Sequence, residues 1–511
     1  MTLLTRSRTR GSVAAGALAA IMTMSACSSP EAGTPTPSAG NPDATVKVVA
    51  SLEPATLNPI YMTNNWFRTI GQLYDGLIAI DENGFPTEAG LLTSWNRVDD
   101  NTWSFILRDG VHFHDGSDFT AEDIVFTIGQ MQSDPQARYG SFAKRIASVE
   151  ASDPHTVAIT TVAPDESIPA LFTVIRPIPS DYYEQVGAAG FDAAPIGTGP
   201  FEFVAKKPGQ SVTLTRNDDY WGESAKIKQL DISWSTDPSA RVSLVQSGSV
   251  DIAYDIPPQS WDLLDGAEGV GVLRGPSGTS LQLVTRVGAD PSAQATAREA
   301  ISLAIDREGL VAGVMGGTAD PQFRFLTITL PDAPEPSIEF DSAQAKKLLA
   351  GSSPKVHLYY TSGTFQQDKA IGEAVAAMLT TAGFTVQQDV QELAKIYDAT
   401  RSPANPEEVA VYLLDANQVY PDPDVTIGYY LVGLGICGDA DQYKALSAEG
   451  LAAAPDDRGR VYAEAEEKAI NEDHCWLPFA QLFAAFAVSD EISGFGVPYI
   501  GSPDFAAITA Q

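Results

Sequence analysis

Several short motifs in this chain carry residue types that catalysis could use. Ser141 and Lys144 have the S-x-x-K spacing of penicillin-recognising acyl enzymes, in which the lysine lies one helical turn from the nucleophilic serine. The S-D-N and K-T-G partners of that motif are absent from the sequence, and no G-x-S-x-G nucleophile motif occurs. The sequence therefore provides no nucleophile with a matching base, and we expect no enzymatic activity.

A glycine-rich run from Gly433 to Gly438 has the spacing of a dinucleotide-binding loop. Such a loop opens the first βαβ unit of its domain, which this run does not, and Asp439 would place a carboxylate beside the pyrophosphate. We therefore interpret the run as an ordinary loop and expect no cofactor.

The histidines suggest one metal hypothesis. His112 and His114 are two residues apart, which on a strand places both rings on one face, and Asp115 follows them. Neither an H-E-x-x-H nor a C-x-x-C motif occurs, so a dedicated metal site is not expected. The remaining histidines are isolated in sequence, and they are His155, His357 and His474.

Residues 1–26 have the organisation of a secretory signal peptide. Three arginines between positions 6 and 10 precede an apolar stretch at 13–24, which is too short to span about 30 Å of hydrocarbon. The stretch ends in Met24-Ser25-Ala26-Cys27, which resembles a bacterial lipobox, so we expect Cys27 to be lipidated. Ordinary cleavage near Ala26 is the alternative. Residues 27–42 are rich in Ser, Pro, Gly and Thr and are expected to form a flexible tether.

The two cysteines that remain once Cys27 is lipidated are Cys437 and Cys475. An exported chain meets an oxidising environment, so we expect a disulfide between them, with two separate buried thiols as the alternative. The bond would close a loop of about 39 residues, which is worth roughly 4 kcal/mol in the chain-entropy model.

Length and charge exclude other broad classes. At about 100 to 200 residues per domain, 511 residues predict two to four domains. Lys and Arg total 32 against 65 Asp and Glu, and the net charge of −33 would repel nucleic acid. Hydrophobic residues make up 44% of the chain, which excludes a disordered protein. No later apolar run reaches about eighteen residues, so the mature chain is expected to be a soluble globular protein.

Hydrophobic periodicity predicts alternating strands and helices. The predicted strands are 46–50, 102–107, 211–215, 230–234, 250–253, 356–360, 385–389 and 409–414, and the predicted helices are 124–131, 238–247, 293–304, 342–349, 366–382 and 457–470. Thr120 and Asp123 form a capping signal before the first helix. The segment 356–389 forms a βαβ unit, with Gly383 as the C-cap of its helix, and therefore requires a parallel sheet. The sequence thus predicts an α/β fold in several lobes.

The chain also carries a series of longer motifs in a fixed order. They are LYDGLI at 73–78, EAGLLTSW at 88–95, WSFILRDGVHFHDGS at 103–117, TAEDIVF at 120–126, PIGTGPF at 195–201, RNDDYWG at 216–222, REAISLAIDR at 298–307 and YPDPD at 420–424. This series resembles the peptide/nickel family (family 5) of bacterial extracellular solute-binding lipoproteins of ABC importers, which includes oligopeptide- and dipeptide-binding proteins. The resemblance covers about residues 46–495.

The resemblance implies a type II periplasmic-binding-protein-like α/β fold, in which two lobes close on a ligand and the first lobe carries an extra inserted domain. Mapped onto this sequence, the first lobe takes 43–61, 194–284 and 477–511, the inserted domain 62–193 and the second lobe 285–476. Residues 112–116 match a structural turn of the family, so the resemblance removes the metal hypothesis for His112 and His114.

The implied function is that of a lipid-anchored substrate-binding protein at the outer face of the cell membrane or in the periplasm, without enzymatic activity. It would act as a monomer, capture peptides, with oligopeptides favoured, and deliver them to an ABC permease with its ATPase subunits. One alternative is the same fold binding a non-peptide solute, such as a sugar, a metal chelate or an opine. A second is an exported hydrolase, for which no nucleophile and base are visible.

The resemblance also indicates where a ligand would bind. Peptide-binding relatives often carry an aspartate just before the Pro-Asp-Pro-Asp segment, which anchors the amino group of the ligand. Here Val419 and Tyr420 occupy that place, and Asp415 is the candidate replacement. Dipeptide binders carry an arginine after the strand 356–360, but residues 361–367 contain no basic residue, which weakens a strict dipeptide specificity. The other residues that could line the cleft are Asn64, Asn65, Trp66, Tyr359, Tyr360, Phe365 and Tyr420.

Overall fold

The structure, a computed structural model, describes residues 40–62, 70–81, 85–287, 292, 294–325, 339–365, 367–402, 405, 407–417, 421–437, 440–499 and 502–511. Its strands are β1 Thr45–Ala50, β2 Ala79–Ile80, β3 Pro86–Thr87, β4 Leu92–Arg97, β5 Thr102–Leu107, β6 Ile146–Asp153, β7 Thr156–Thr161, β8 Phe201–Lys207, β9 Ser211–Arg216, β10 Gln229–Trp234, β11 Ile252–Ala253, β12 Val270–Thr285, β13 Ala319–Pro321, β14 Lys355–Tyr360, β15 Thr385–Val390, β16 Glu408–Asn417, β17 Trp476–Ser489, β18 Ile492–Ser493 and β19 Thr509–Ala510.

Its α-helices are α1 Ala121–Ser133, α2 Gly140–Ala143, α3 Ile168–Leu171, α4 Ser180–Ala193, α5 Pro238–Gln246, α6 Trp261–Asp265, α7 Ala295–Ala304, α8 Arg307–Leu310, α9 Ser342–Leu348, α10 Asp368–Ala382, α11 Leu393–Arg401, α12 Pro423–Thr426, α13 Ala440–Ala452 and α14 Pro455–Glu467. Short 3₁₀ turns lie at Gly71–Leu73 and Pro258–Ser260, and π-helical turns at Val311–Met315, Ile427–Gly433 and Lys468–Glu472. Among the described residues, no helix combines the length and the apolar character needed to cross a membrane.

Local signals account for many of these elements. Helix α1 begins after Thr120, whose side chain and that of Asp123 form the predicted capping box. On β5 the residues that face inward are buried and those between them are more exposed, as the alternation predicted. Strand β11 is shorter than predicted because the amide of Val250 donates to the carbonyl of Leu244 in the turn that ends α5.

One large sheet runs through the protein, with its strands in the order β15-β14-β16-β12-β17-β11-β1-β10-β9-β8 and with β13 beside β17. At one end, β14 and β15 are parallel and joined through α10, which confirms the predicted βαβ unit. At the other end, β1 is parallel to β10 and β11. A separate four-stranded sheet in the order β4-β5-β7-β6 packs beside this second end.

Two long strands, β12 and β17, connect the two ends of the large sheet. Val270–Pro276 pair with Ser489–Phe483 beside β11, and Ser280–Val284 pair with Gln481–Trp476 beside β16. The register shifts between Pro276 and Ser280. We call residues 276–280 of β12, with 481–483 of β17, the crossing segment.

The hydrophobic core divides at the crossing segment. A first core contains β1, β10 and the four-stranded sheet, and Phe486 and Val488 of β17 belong to it. A second core contains β14, α10 and β16, and Leu477 and Phe479 of β17 belong to it. The two separately packed halves of the sheet therefore share β12 and β17.

Candidate functional site

A cavity of about 730 Å³ opens beside the crossing segment. Its wall includes most of residues 71–81, among them Asp75, together with Arg176, Tyr220 and Tyr499. The Tyr499 carbonyl accepts the amide of Gly278 (2.7 Å), and its hydroxyl accepts a hydrogen bond from Gln481 Nε2 (2.8 Å). One wall of the cavity is therefore bonded directly to both long strands. The volume lies within the range of small-ligand pockets.

The cavity wall holds a carboxylate and a guanidinium close together. Asp75 accepts hydrogen bonds from Tyr220 Oη (2.9 Å) and Trp221 Nε1 (2.8 Å). Burial raises the pKa of Asp75 to about 6, although these bonds and the charge of Arg176 oppose the rise. Burial lowers the pKa of Arg176 to about 10, so this side chain stays positive at neutral pH. The cavity wall thus contains one acidic and one basic side chain.

Two glycines allow the backbone to pass close to this wall. A Cβ atom on Gly76 would lie 2.6 Å from Nη1 of Arg176, and one on Gly199 would lie 2.3 Å from the carbonyl oxygen of Gln72. Both glycines belong to motifs singled out in the sequence, LYDGLI and PIGTGPF. Close approach of the backbone explains why these positions are glycine.

The structure gives His112 and His114 separate partners. His114 is bonded through Nε2 to the carbonyl of Gly199 (3.0 Å) and through Nδ1 to the amide of Gly197 (3.2 Å), and burial lowers its pKa to about 4. His112 is exposed and pairs with Asp118 at 2.9 Å. His112 therefore pairs across the turn and His114 joins the turn to residues 197–199, and the described residues contain no group of three ligands suited to a metal.

Asp415 lies near the end of β16, on the other side of the crossing segment from the cavity wall. Its Oδ2 accepts a hydrogen bond from Asn417 Nδ2 (2.8 Å), and Asn417 Oδ1 accepts one from Thr279 Oγ1 (2.6 Å). Burial raises the pKa of Asp415 above its ordinary value. Among the described residues, no lysine or arginine pairs with it.

The other predicted site residues are distributed as follows. Tyr359 stacks between His357 and Tyr412, with ring centroids 4.1 and 5.0 Å apart. Tyr360 points to the opposite face, where it is buried in the second core and donates to Gln388 (2.8 Å). Phe365 is half-buried and packs against the same core. The remaining predicted residues lie outside the described residues, and they are Asn64, Asn65, Trp66 and Tyr420, together with Cys27.

Comparison with known proteins identifies the group to which this architecture belongs. The sequence model for the bacterial extracellular solute-binding proteins, family 5 (middle region), matches residues 87–435, more than half of the chain. The chain belongs to this family. As a family 5 protein it is an extracellular or periplasmic solute-binding protein that acts with an ABC transporter, binds peptides or related small solutes and is not an enzyme.

The relatives of this family 5 protein match it over most of their length, and their names give different ligands. A probable D,D-dipeptide-binding periplasmic protein of Escherichia coli is 25% identical over 87% of this chain and 89% of its own length. A nickel-binding periplasmic protein of the same organism is 24% identical over 68% of this chain and 71% of its own length. The crystal structure of the ABC transporter substrate-binding protein CtaP from Listeria monocytogenes has a TM-score of 0.79 at 22% identity, covering 92% of this chain and 99% of that one. The type II binding-protein fold expected from the motifs is therefore confirmed.

The cavity-wall residues Asp75, Arg176, Tyr220 and Tyr499 were not identified as site residues from the sequence of this family 5 protein. Asp75 lies within a recognised motif, but the motif alone does not reveal that Tyr220 and Trp221 bind its carboxylate. Arg176 and Tyr499 carry no local signal, because each reaches the cavity only through packing of segments distant in sequence.

Proposed function

We propose that this protein captures peptides, preferentially oligopeptides, between its two halves and delivers them to an ABC permease. The observation that carries the proposal is the cavity beside the crossing segment, whose wall holds Asp75 and Arg176, with Asp415 on the other side. A peptide is zwitterionic, so its ammonium matches a carboxylate and its carboxylate matches a guanidinium. The loop after β14 contains no basic residue, which favours ligands longer than dipeptides.

Thermal-shift screening of the mature chain tests this proposal. The screen compares peptide pools of two to about nine residues with pools of sugars and metal chelates. A ligand present at 100 times its dissociation constant adds about 2.7 kcal/mol of apparent stability, so a peptide pool is expected to raise the unfolding temperature. Stabilisation by sugars or chelates alone would contradict peptide binding and favour the non-peptide alternative.

We further propose that the two halves rotate about the crossing segment when a ligand binds. The separate cores on either side support rigid bodies, close to the boundaries predicted at 284–285 and 476–477. Small-angle scattering is expected to give a smaller radius of gyration at saturating ligand and the molecular mass of a monomer. An unchanged radius at proven saturation would contradict rotation of the halves.

Membrane anchoring is proposed through a lipid on Cys27. The lipobox-like Met24-Ser25-Ala26-Cys27 supports it, and residues 27–42 would tether the folded part near the membrane. Cys27→Ala is expected to move the protein from the membrane fraction to the soluble fraction, while the affinity for ligand stays unchanged. Firm membrane association of the variant would contradict the lipid anchor.

A further inference from the structure

A cluster of charges joins two parts of the chain that lie on either side of the crossing segment. Arg145 donates to Asp165 Oδ2 through Nε (2.8 Å) and Nη2 (2.5 Å), and its Nη1 donates to Asp424 Oδ2 (3.2 Å). Arg145 and Asp165 belong to the region of the four-stranded sheet, whereas Asp424 lies in α12. None of the three lines the cavity described above.

Further contacts extend this cluster. Ser447 Oγ donates to Asp424 Oδ1 (2.5 Å), and the amide of Glu166 donates to the carbonyl of Leu451 (2.8 Å). Val425, next to Asp424, packs in the first core. We call these contacts, centred on Arg145 and Asp424, the Arg145 junction.

The two carboxylates of the Arg145 junction are buried. Asp165 is 2% exposed and Asp424 is 4% exposed, and Arg145 is the cation that contacts both. Removing one member of a buried charge cluster is strongly unfavourable, because the opposite charges are left without compensation. Loss of Arg145 would leave two buried carboxylates facing each other.

We propose that the Arg145 junction forms when the two halves close and stabilises the closed state from outside the ligand cavity. This inference rests on the proposed rotation about the crossing segment. If two bodies are joined by β12 and β17 and also touch elsewhere, a rotation that separates them must break the second contact. Arg145 and Asp424 are thus positioning residues for closure.

The junction also predicts a dependence of closure on pH. Burial raises the pKa of Asp424 to about 6, the nearby carboxylates Asp422 and Asp165 act in the same direction, and Arg145 and Ser447 oppose it. In an open state Asp424 would be hydrated and its pKa would return to the ordinary value, so the closed state binds the proton more tightly. Closure is therefore expected to strengthen as the pH falls from 7.5 through 6.

Other groups around Asp424 complete its charged surroundings. Arg458 binds Asp422 (2.8 Å) and packs against Tyr462, while Glu166 pairs with Arg97. Asp424 is the group to which we assign the dependence between pH 6 and 7.5, because burial raises its pKa to about 6.

Hydrogen exchange of one amide tests the proposal without a ligand. The amide of Glu166 is bonded across the junction, and that of Leu107 is bonded to His155 within the region of the four-stranded sheet and serves as the control. In Arg145→Gln, the amide of Glu166 is expected to exchange at least tenfold faster, while the exchange rate of the Leu107 amide stays unchanged. The variant is also expected to have a larger radius of gyration than the parent chain. An unchanged rate at Glu166, equal acceleration of both amides, or faster exchange without a larger radius would each overturn the proposal.

Asp424→Asn is the second test variant. Asparagine keeps the shape of the aspartate side chain and, like the protonated acid, carries no charge. The exchange rate of the Glu166 amide is first corrected for the intrinsic pH dependence of amide exchange. The corrected rate is expected to fall between pH 7.5 and 5.5 in the unmodified chain and to be independent of pH in this variant. Asp441→Asn removes an exposed charge from the same part of the chain and controls for net charge. A pH response that survives in Asp424→Asn would overturn the proposal.

If no solute raises the unfolding temperature in the thermal-shift screen, that result would contradict the proposed function. It would leave these exchange results intact.

Discussion

Asp415→Asn is expected to weaken binding of peptides with a free amino terminus by about 2 to 5 kcal/mol, the range for breaking one side of a desolvated charge pair. Asp415 is half-buried at the crossing segment, and its described polar contact is the amide of Asn417. None of the described lysines or arginines pairs with this carboxylate, and a ligand ammonium would supply the cation. Titration calorimetry of the variant and the parent chain measures the difference.

Two controls separate ligand binding from a structural effect at Asp415. N-acetylated peptides have no ammonium, so the variant and the parent chain are expected to bind them equally. Asp398→Asn removes an exposed carboxylate from the same half and is expected to leave affinity unchanged. Equal weakening for free and acetylated peptides would mean that Asp415 maintains the fold and that the amino group is recognised elsewhere.

Replacement of both Cys437 and Cys475 by alanine is expected to lower the free energy of unfolding by roughly 4 kcal/mol in the chain-entropy model. The structure joins these cysteines in a disulfide, with Cα atoms 5.3 Å apart and both residues buried. The bond connects the loop after the π-helical turn Ile427–Gly433 to the residue just before β17. Urea unfolding of the parent chain and the double variant measures the loss.

A reducing agent provides the matched control for the disulfide. It is expected to destabilise the parent chain to the level of the double variant and to leave the variant unchanged. A parent chain with the same unfolding midpoint under oxidising and reducing conditions would show that the cysteines contribute only as buried apolar groups.

The parts of the fold that depend on local sequence were predictable. The capping box before α1, the alternation on β5 and the βαβ unit at residues 356–389 each follow from neighbouring residues, whose spacing sets their geometry. The type II fold could be inferred because the long motifs occur in the family's order. The start of β11 differs from the predicted start at Val250, since the amide of Val250 is used by the turn after α5.

The candidate site was predictable only in part, because it is assembled from segments distant in sequence. Asp75 receives hydrogen bonds from residues about 145 positions away, and the carbonyl of Tyr499 accepts one from the amide of Gly278, about 220 positions earlier. No periodicity or spacing encodes such contacts. Tyr359 and Tyr360 illustrate the same limit, since alternation on β14 sends one ring to a stack with His357 and Tyr412 and buries the other.

The two long strands that pass through both halves also restrict how the molecule can deform. Sliding one half past the other would shift the register of β12 against β17 and break the backbone hydrogen bonds between them. Twisting or bending the two-stranded ribbon that β12 and β17 form preserves nearly all of these bonds. We therefore expect the proposed closing motion to be a rotation with few degrees of freedom. A path with so few degrees of freedom loses little conformational entropy on closing, which leaves more of the contact energy with a ligand available for affinity.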